Sequence, residues 1–540
     1  MFSYDNKTKI LSGMNVLPFY HQNVTIGQVI MHYLSRQPSK IVQSCYDDGV
    51  DLTAGEMAKL ASRIAGRLTK EGFKFGDVIG LIVKNTTYVA PVVLGCLLVG
   101  CPVSTLDPTF DSSEVANIFR QTKPKLVFCD QDNCEIVSEA LNMCNNDSET
   151  VTVDESLPEV RHVTEMFEIS SGEREFMPRS FGVESTKVCS VILCSSGTTG
   201  LSKGVKLSST QCILMTTSIP LIQSPSGLCF SSLYWLSGMT LLVHSLANVC
   251  QRVITKRKFS PLLMVHLIEK YKIKVVITPP SQVALLVQSP VLKLADLSSV
   301  RLHLVGGGFL TEALRSTLQD HLLYGTIIMT YGMTELGRLV SSTMPFQKPS
   351  NSSGKVSPNV MLKVVDDDGN TLGSNEIGEM FIYTVDKFLG YANNSEATRN
   401  AFDSAGWLKT GDLGYYTDDG EIFIVDRKKD MIKYLNYQVA PSELETCIQK
   451  MEGVQMVCVV GIPDMISGDL AVAMIVKEGN SLLTEQDVVD EIASKTRFRL
   501  HGGAYFCDSL PMTASGKIKK MEVKKNAVEL YKSNEINGNY

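Results

Sequence analysis

Residues 195–204 read SSGTTGLSKG and follow directly on the apolar stretch VCSVILC (188–194). Small residues let a backbone turn tightly and direct its amides at an anion, hydroxyls add further donors, and Lys203 supplies positive charge. The segment is not a Walker loop, which needs GxxxxGK followed by Ser or Thr, because two residues separate Gly200 from Lys203. On composition alone a flexible surface turn explains the segment equally well, so other motifs must decide.

A second informative segment, YGMTE (331–335), follows the apolar run TIIMT. At the end of a strand, Tyr331 can stack on a base and Thr334 can hold a phosphate. Glu335 offers a carboxylate oxygen, the hard ligand that Mg²⁺ prefers. Alone, this pentapeptide is a weak signal.

Two later segments complete the set. GWLKTGD (406–412) ends in Asp412, which suits the two hydroxyls of a ribose, although a simple turn aspartate has the same local pattern. SGK (515–517) lies in the run SLPMTASGKIKK, where small neighbours present Lys517 prominently. A solvated lysine face is the ordinary explanation of such a run, so neither segment is decisive by itself.

Short apolar runs alternate with helix-length amphipathic patterns through most of the chain. VIGLIVK (78–84) and KVVITPP (274–280) are typical of strands, whereas SSEVANIFRQT (112–122) repeats its apolar residues at three and four positions. This alternation favours crossover units around a mostly parallel sheet. Near Lys363 the pattern changes to strands around tight turns, as in YYTDDGEIFIVDR, which predicts a smaller β-rich layer.

A charged turn, DRKKD (426–430), separates two independently patterned parts of the chain. It has few apolar residues to bury, as an exposed hinge requires, although an ordinary charged loop has the same composition. Beyond it the sequence predicts helices over 441–451 and 484–496. The predicted fold class is therefore α/β, with a large N-terminal domain of several subdomains, residues 1–425, and a small mobile α+β domain, residues 426–540.

Composition excludes several classes of protein. Of 540 residues, 57 are acidic and 51 are Lys or Arg, and the net charge of −6 argues against a dedicated nucleic-acid binder. With 44% apolar residues, the chain has ample material for packed cores. The opening residues MFSYDNKTKI carry no secretory pattern. Proline and glycine interrupt the longest apolar stretch, residues 88–106, which favours a buried helix and strand over a membrane span.

The 14 cysteines contain no CxxC pair, and several lie in apolar runs, which indicates reduced, buried thiols of an intracellular protein. We predict no zinc site, because no partner of suitable spacing accompanies them. The chain ends in NGNY and not in an SKL-type peroxisomal signal. A cytoplasmic location is therefore expected, with a peroxisomal one as the alternative.

The Ser/Thr/Gly loop, YGMTE, GWLKTGD, VDRKKDMIKYLNYQVAPSELE and PMTASGKIKK follow one another in an order that resembles the adenylate-forming superfamily. That superfamily includes acyl-CoA synthetases, 4-coumarate:CoA ligases, beetle luciferases and peptide-synthetase adenylation domains. The resemblance spans about Thr25 to Lys525 and looks closest to the insect luciferase-like acyl-CoA ligases. It implies ATP- and Mg²⁺-dependent activation of a carboxylic acid to an acyl-adenylate, followed by transfer to coenzyme A.

The resemblance also implies a role for each motif residue. The loop and Lys203 would hold the outer phosphates of ATP, while Thr334 and Glu335 would serve the α-phosphate and Mg²⁺. The implied nucleotide-binding residues are Ser195, Ser196, Gly197, Thr198, Thr199, Gly200 and Lys203 in the loop, Gly306, Gly307, Gly308 and Tyr331 at the adenine, and Asp412 and Arg427 at the ribose.

Lys517 would bridge the substrate carboxylate and the α-phosphate. In this family the small domain rotates about a hinge, here Asp426, and its opposite face, which includes Lys433, would serve thioester formation. Many relatives have glycine where this chain has Asn436, and glycine would allow close approach of the thiol arm. Asparagine tolerates the same left-handed backbone, so both an impaired and an unimpaired thioester step are open.

SSLYWLSGM (231–239) stands where relatives line the acid pocket, with Trp235, Ser237 and Gly238 as its expected residues. Trp235 occupies a position that is often histidine, and its indole could close the pocket, stack on an aromatic acid or pack in the core. The leading expectation is a medium- or long-chain fatty acid or another hydrophobic acid, and an arylpropenoate is the alternative.

Two other functions share much of this pattern. A luciferase-type monooxygenase would use the same adenylation step, and a nucleotide-binding pseudoenzyme would keep the fold without the chemistry. Retention of Lys203, Glu335, Asp412, Arg427 and Lys517 argues against the pseudoenzyme. The expected partners are a carboxylic acid, ATP and coenzyme A, with no nucleic acid, no transmembrane segment and a monomeric chain.

Overall fold

The computed structural model describes residues 2–16, 20–168, 176, 178, 180–196, 202–220, 225–345, 350–435, 437–496, 498–513 and 516–536. Within these ranges, backbone hydrogen bonds join the strands into four sheets, three in the N-terminal part of the chain and one in the C-terminal part. Over the same ranges, no helix is long and apolar enough to cross a membrane.

The first sheet is mostly parallel, as the alternation of strands and helices predicts. Strands such as Ile79–Ile82 are buried throughout, the pattern of a parallel sheet covered on both faces. The apolar stretch 88–106 forms a buried helix, Val89–Val99, and a buried strand, which confirms that it is core. In hydrogen-bonded order the strands are Ser202–Ser208, Cys189–Ser196, Val103–Thr105, Ile79–Ile82, Leu126–Cys129, Glu149–Thr152 and Arg161–His162.

The second sheet has a parallel centre flanked by antiparallel strands. The parallel part extends from Thr326–Met333 to Ile41–Cys45. Because the carboxyl ends of parallel strands meet at one edge of a sheet, the residues that follow them gather there. The strand order is Lys355–Val356, Arg338–Ser342, Thr326–Met333, Leu302–Gly306, Val275–Thr278, Ser226–Cys229, Gln251–Ile254, Ile41–Cys45 and Val50–Thr53.

The predicted β-rich layer is the third sheet, and its pairings are antiparallel. The segment YYTDDGEIFIVDR forms the expected hairpin, which sets Asp412 opposite Arg427. The strands in order are Phe2–Asp5, Ile10–Gly13, Val360–Val365, Gly378–Thr384, Leu408–Tyr416 and Ile422–Arg427, with Thr371–Leu372 beside Val360–Val365.

The residues after the charged turn form a separate α+β domain. The predicted helices are present as Pro441–Ile448 and Glu485–Lys495. Their apolar faces pack on the sheet through a core of their own that includes Leu444 and Ile492. The strands are Tyr437–Val439, Ile432–Tyr434, Gly468–Lys477 and Val454–Asp464 in order, with Ala504–Phe506 beside Gly468–Lys477.

Local signals fix the ends of the helices that cover the N-terminal sheets. Asp111 and Glu114 form a reciprocal capping box at the start of Ser112–Thr122, a segment whose periodicity predicted a helix. The other helices and 3-10 turns are Ile26–Arg36, Ala54–Lys70, Cys134–Met143, Ser209–Met215, Leu236–Ala247, Pro261–Tyr271, Pro280–Gln288, Glu312–His321, Ser395–Asn400, Lys520–Ile536, Gln131–Asn133, Val163–Phe167, Pro290–Leu294 and Thr334–Leu336.

Candidate active site

Lys203 is connected to Glu335 through a tyrosine. Strand Ser202–Ser208 pairs with residues 390–392, which places Tyr391 beside it. Lys203 Nζ lies 5.3 Å from the Tyr391 ring centroid, and Tyr391 Oη donates to Glu335 Oε1 at 2.9 Å. Burial, and then the charge of Glu335, raise the pKa of Tyr391, which keeps its phenol protonated as a donor. Tyr391 therefore links Lys203, from the Ser/Thr/Gly loop, to Glu335, from the YGMTE motif.

Glu335 is held by its backbone as well as its side chain. Gln211 Nε2 donates to the carbonyls of Glu335 and Leu336, both at 3.1 Å, in the 3-10 turn that Thr334 begins. Only 8% of Glu335 is exposed. A single fixed carboxylate fits Mg²⁺, which usually keeps several waters and binds through one or two carboxylates plus substrate phosphates. Among the residues described above, no cluster of three or more His, Cys, Asp or Glu side chains is suited to a metal.

Asp412 is a buried carboxylate at the centre of a triad whose other members, Arg427 and Tyr331, are at least partly exposed. Arg427 Nε donates to Asp412 Oδ1 at 2.6 Å, and Tyr331 Oη donates to Asp412 Oδ2, also at 2.6 Å. Tyr331 comes from the second sheet, whereas the other two residues face each other on the third. Burial raises the pKa of Asp412, and the charge of Arg427 and the hydrogen bond from Tyr331 oppose that rise. The residue expected at the adenine is thus also an anchor of this carboxylate.

Lys517 reaches the same region from the C-terminal domain. Its Nζ lies 5.7 Å from the Trp235 ring centroid, and a Cβ added to Gly307 would come within 3.1 Å of Lys517 Cε. Burial, and then the charge of Arg427, lower the pKa of Lys517 to about 8, while Asp412 raises it. One lysine from the small domain therefore faces the end of a strand, an indole and the Asp412–Arg427 pair.

The loop of Lys517 is docked on the N-terminal part of the chain. Ser281 Oγ donates to the carbonyl of Gly516, which adopts a left-handed φ of 85° that favours glycine. Near the other end of helix Pro280–Gln288, Gln288 Nε2 donates to the carbonyl of Gln455 at 3.0 Å. The two hydrogen bonds fix the small domain in the position that presents Lys517.

The glycines predicted at the adenine differ in what they require. A Cβ on Gly306 would lie 2.3 Å from Thr330 Oγ1, too close for any side chain. Gly307 has a left-handed φ of 85° and contacts Lys517, whereas the nearest atom to a Cβ on Gly308 would be 3.5 Å away. The first two positions therefore need glycine, and the third has room for a methyl group.

Trp235, Ser237 and Gly238 lie where a strand of the second sheet turns into the next helix. Ser237 Oγ donates to Ser231 Oγ at 3.0 Å. A Cβ on Gly238 would lie 2.3 Å from the Ser232 carbonyl, so glycine lets the segment fold back on itself. The three expected pocket residues thus form one compact turn, and Trp235 is the member in contact with the predicted catalytic lysine.

Asp426 bonds to both sides of the predicted hinge. Its Oδ1 accepts from the Arg427 amide at 2.8 Å, and its Oδ2 accepts from the Ser442 amide at 3.0 Å, at the start of the first C-terminal helix. The strand that contains Asp426 belongs to the β-rich layer and ends at Arg427. The next strand, which begins at Ile432, belongs to the C-terminal sheet.

Lys433 is not brought to the nucleotide residues. Its side chain is exposed on strand Ile432–Tyr434, and its amide donates to Asp469 Oδ2 at 3.1 Å. Over the described ranges, no hydrogen bond or ion pair joins Lys433 to Lys203, Glu335 or Asp412. In this position of the small domain Lys433 does not contact the described residues of the candidate site. Its expected role in thioester formation would need a different domain position.

Part of the predicted phosphate loop is not described. Gly197, Thr198, Thr199 and Gly200 lie outside the described residues, as does Asn436. Ser195 and Ser196 end strand Cys189–Ser196, where Ser195 is the direct partner of Lys203.

Two residues of the site, Tyr391 and Gln211, carry no sequence signal of their role there. Tyr391 lies in KFLGY, a segment without a motif, whereas Gln211 closes the capping box Ser208-x-x-Gln211 at the start of helix Ser209–Met215. Tyr391 gains its place only when residues 390–392 pair with strand Ser202–Ser208, a contact between distant parts of the chain. The capping box predicts a helix start, but the hydrogen bonds of Gln211 to the carbonyls of Glu335 and Leu336 join distant segments.

Comparison with known proteins agrees with this geometry. The sequence matches the AMP-binding enzyme family over residues 31–392 and the AMP-binding enzyme C-terminal domain over residues 443–517. It is 30% identical to 4-coumarate-CoA ligase 1 of Narcissus pseudonarcissus over 513 residues, which cover 92% of this chain and 91% of the relative. It is also 30% identical to luciferin 4-monooxygenase of Luciola mingrelica over 519 residues, covering 93% and 95% respectively.

A solved structure shows the same fold. The anthranilate CoA ligase AuaEII in complex with anthranoyl-AMP matches with a TM-score of 0.84 at 21% identity, over 95% of this chain and 98% of that one. Both the large α/β part and the separate C-terminal domain are included in a match of this extent. The chain therefore belongs to the AMP-binding enzyme family, the adenylate-forming superfamily that its motifs resemble.

Proposed function

We propose that the protein is an AMP-forming acid:CoA ligase that uses ATP and Mg²⁺. It joins a carboxylic acid to AMP with release of pyrophosphate, and coenzyme A then takes the acyl group as a thioester. The observation that carries the proposal is the position of Lys517, a cation from the small domain that faces Trp235 and Gly307 beside the Asp412–Arg427 pair. The carboxylate of the acid and the α-phosphate of ATP would both contact this lysine.

The first step makes the acid reactive, because oxide is a poor leaving group. A carboxylate oxygen attacks the α-phosphorus, and the bond from that phosphorus to the bridging oxygen of pyrophosphate breaks. Negative charge builds on the phosphates, so cations and donors fixed beforehand lower the barrier. Lys203 would hold the outer phosphates, Thr334 the α-phosphate, and Lys517 both the carboxylate and the α-phosphate. Mg²⁺ bound through Glu335 would neutralise phosphate charge and orient the leaving pyrophosphate.

The Asp412 triad would fix the nucleoside. Arg427 and Tyr331 each occupy one oxygen of Asp412 and set its orientation, and a carboxylate retains lone pairs for the ribose hydroxyls. Gly306 and Gly307 lack side chains where the adenine would lie, which lets the base approach the backbone.

The second step needs a different face of the small domain. We divide the chain into residues 1–425 and 426–540, with Asp426 as the hinge, and the change of sheet between Arg427 and Ile432 supports this division. Rotation would withdraw Lys517 and bring in the face that carries Lys433. The thiol of coenzyme A then attacks the acyl carbon, the bond from that carbon to AMP breaks, and the thiol proton is lost to water.

The acid is best described as an arylpropenoate. Relatives named for 4-coumarate support this choice over the medium- or long-chain fatty acid expected from the sequence alone. Aromatic side chains at the expected pocket support it too, since the Tyr234 and Trp235 rings lie 4.9 Å apart in an edge-to-face arrangement and an aryl acid could pack beside them.

A luciferase-type monooxygenation is the second candidate, because a relative of 30% identity is named luciferin 4-monooxygenase. In that reaction the same adenylate reacts with O₂ in place of a thiol. Light output with luciferin, ATP and O₂ tests it directly. Absence of light together with thioester formation assigns the ligase function.

An acid panel tests the proposal. The purified protein is incubated with ATP, Mg²⁺ and either 4-coumarate, cinnamate, benzoate, octanoate or palmitate, with and without coenzyme A. Exchange of labelled pyrophosphate into ATP reports the first step, and chromatography of acyl-CoA reports the second. We expect acid-dependent exchange, with the highest kcat/KM for the two propenoates. No exchange with any acid would contradict adenylation, and a preference for palmitate would reverse the assignment of the acid.

The cytoplasmic location and the monomeric state remain predictions. Fluorescent tagging of the full chain tests the first, and light scattering of the purified protein tests the second.

A further inference from the structure

One face of helix Pro280–Gln288 belongs to the core of the second sheet. Val283 and Leu286 are buried there, and Val287 packs against the same apolar cluster. The helix begins directly after strand Val275–Thr278, and the proline at its first position fixes the backbone where it begins. The N-terminal part of the chain therefore holds this helix rigidly by itself.

The opposite face of the helix is bonded to the C-terminal domain at both of its ends. Ser281 Oγ donates to the carbonyl of Gly516, and Gln288 Nε2 donates to the carbonyl of Gln455 at 3.0 Å. The two acceptors are far apart in the sequence, one in the loop of Lys517 and the other at the start of a strand of the C-terminal sheet. Two separate parts of the small domain are thus attached to one helix.

Leu285 lies between these hydrogen bonds and packs against an apolar cluster of the C-terminal domain. The buried members of that cluster, which include Met456 and Leu510, all belong to the small domain. Residues three and four apart lie on the same face of an α-helix, so Ser281, Leu285 and Gln288 form one stripe. We call these three residues the docking stripe.

The docking stripe acts on the position of Lys517. Gly516, which accepts from Ser281, directly precedes Lys517 in the loop. With the stripe engaged, Lys517 faces Trp235 and the Asp412–Arg427 pair. Rotation of the small domain for the second half-reaction would withdraw the loop and the cluster from the helix, so it would break all three contacts.

We propose that the docking stripe holds the small domain in the adenylation position and so sets the balance between the two half-reactions. This role rests on the proposed adenylation function and goes beyond it, because it assigns the choice of domain position to three positioning residues outside the nucleotide site. Contacts made in only one of two domain positions shift the equilibrium between them by their own free energy. Weakening the stripe should therefore slow the first step and accelerate the second.

Gln288→Ala and Leu285→Ala test the docking stripe. The loss of one neutral hydrogen bond, or of one partly buried leucine side chain, corresponds to roughly a 2- to 10-fold change in an equilibrium constant. Thioester formation from supplied acyl-adenylate should become about 2- to 10-fold faster in each variant, and pyrophosphate exchange should slow by no more than the same factor. The double variant should exceed both single variants in each respect.

Two matched controls remove similar contacts that do not cross between the domains. Gln449 Nε2 also donates to the Gln455 carbonyl, at 3.3 Å, but from within the C-terminal domain. Leu314, like Leu285, is partly buried, and it packs against the core of the second sheet. Gln449→Ala and Leu314→Ala should therefore leave the ratio of the two rates unchanged.

Tryptophan fluorescence measures the domain position without catalysis. The chain has two tryptophans, so Trp407→Phe leaves only Trp235, whose ring centroid lies 5.7 Å from Lys517 Nζ. When the small domain turns away, the Trp235 indole loses this neighbour and becomes more accessible to acrylamide. In the Trp407→Phe background, we expect stronger quenching in the double variant Leu285→Ala/Gln288→Ala than in the two controls.

The results separate the docking stripe from the proposed function. If the wild type shows no exchange with any acid, the proposed function fails, and stronger quenching in the double variant still shows that the stripe positions the domain. If the wild type is active and the double variant lacks either the gain in thioester formation or the stronger quenching, the stripe is ordinary packing and the proposal is overturned. Melting temperatures equal to those of the controls exclude unfolding as the cause.

Discussion

Arg427 Nε lies 2.6 Å from Asp412 Oδ1, on strands that pair directly in the β-rich layer. Arg427 is also the last residue of that layer before the chain crosses to the C-terminal domain. The carboxylate proposed to bind the ribose is therefore bonded to the segment about which the small domain would turn. Nucleotide binding and domain position are linked through this single ion pair.

Asp412→Asn tests the ribose site. The change removes the charge that Arg427 pairs with and that the ribose hydroxyls would donate to. A hydrogen bond to a charged group contributes about 1.5–3 kcal/mol, so KM for ATP should rise roughly 10- to 100-fold in pyrophosphate exchange. The control is Asp403→Asn, whose carboxylate pairs with Lys363 at 3.1 Å elsewhere in the same layer and should leave KM unchanged. Equal effects of the two substitutions would remove Asp412 from the site.

The adenylation step should depend on pH through Lys517. Burial, and then Arg427, lower the pKa of this amine to about 8, and only its protonated form stabilises the phosphate charge. The charged form is complete well below that pKa and is lost as pH rises through it, so kcat/KM for the acid should fall above about pH 8. Lys517→Arg should be slower but should not show this decline, since guanidinium stays protonated. The same alkaline decline in Lys517→Arg would assign it to another group.

Gly307→Ala should impair adenylation selectively. Alanine at a φ of 85° is strained by about 1–2 kcal/mol, and its Cβ would come within 3.1 Å of Lys517 Cε. Pyrophosphate exchange should therefore fall, while conversion of supplied acyl-adenylate to thioester, which needs Lys517 withdrawn, should be nearly normal. Gly308→Ala is the control, because its Cβ would find 3.5 Å of clearance. If both half-reactions fall equally in Gly307→Ala, the contact with Lys517 has no role in the first step.

Lys433→Ala should impair thioester formation and leave adenylation intact, which is the reverse of the effect expected for Gly307→Ala. Its side chain is exposed and makes no described hydrogen bond or ion pair with the proposed nucleotide residues, so pyrophosphate exchange should be unchanged. Thioester formation from supplied acyl-adenylate should fall at least tenfold if this face approaches the site. Lys450→Ala, another exposed lysine of the same domain, should change neither step. Loss of exchange in Lys433→Ala would contradict the assignment of the two faces.

The order of the motifs predicts the fold and the family, and it selects the residues of the candidate site. Lys203, Glu335, Asp412 and Lys517 belong to four segments far apart in the sequence, and in the structure Tyr391 joins the first two while Lys517 faces the Asp412–Arg427 pair. Glu335 follows the parallel strand Thr326–Met333, as crossover units predict. Lys203 and Asp412 lie on antiparallel strands and Lys517 lies in the C-terminal domain, so their approach depends on contacts between sheets and between domains.

No local sequence pattern predicts the contacts between distant segments. Tyr391 links Lys203 to Glu335 only through strand pairing with residues 390–392. The sequence leaves both pocket lining and core packing open for Trp235, and only the three-dimensional structure shows that its buried N–H has no acceptor among the described residues. Which acid the pocket takes depends on cavity shape, for which this sequence has no local signal.

Lys517, from the small domain, is proposed to stabilise charge in the first half-reaction only. The most direct measurement compares pyrophosphate exchange with thioester formation from supplied acyl-adenylate in Lys517→Ala, with Lys519→Ala as the control, since Lys519 pairs with Glu522 at 2.9 Å. A cation about 4 Å from the reacting anion is worth about 4 kcal/mol at an effective dielectric near 20, or about three decades in rate. We predict that Lys517→Ala loses about 1,000-fold in exchange and keeps the second step. Equal loss of both steps, or of neither, would show that Lys517 does not act in the first step alone.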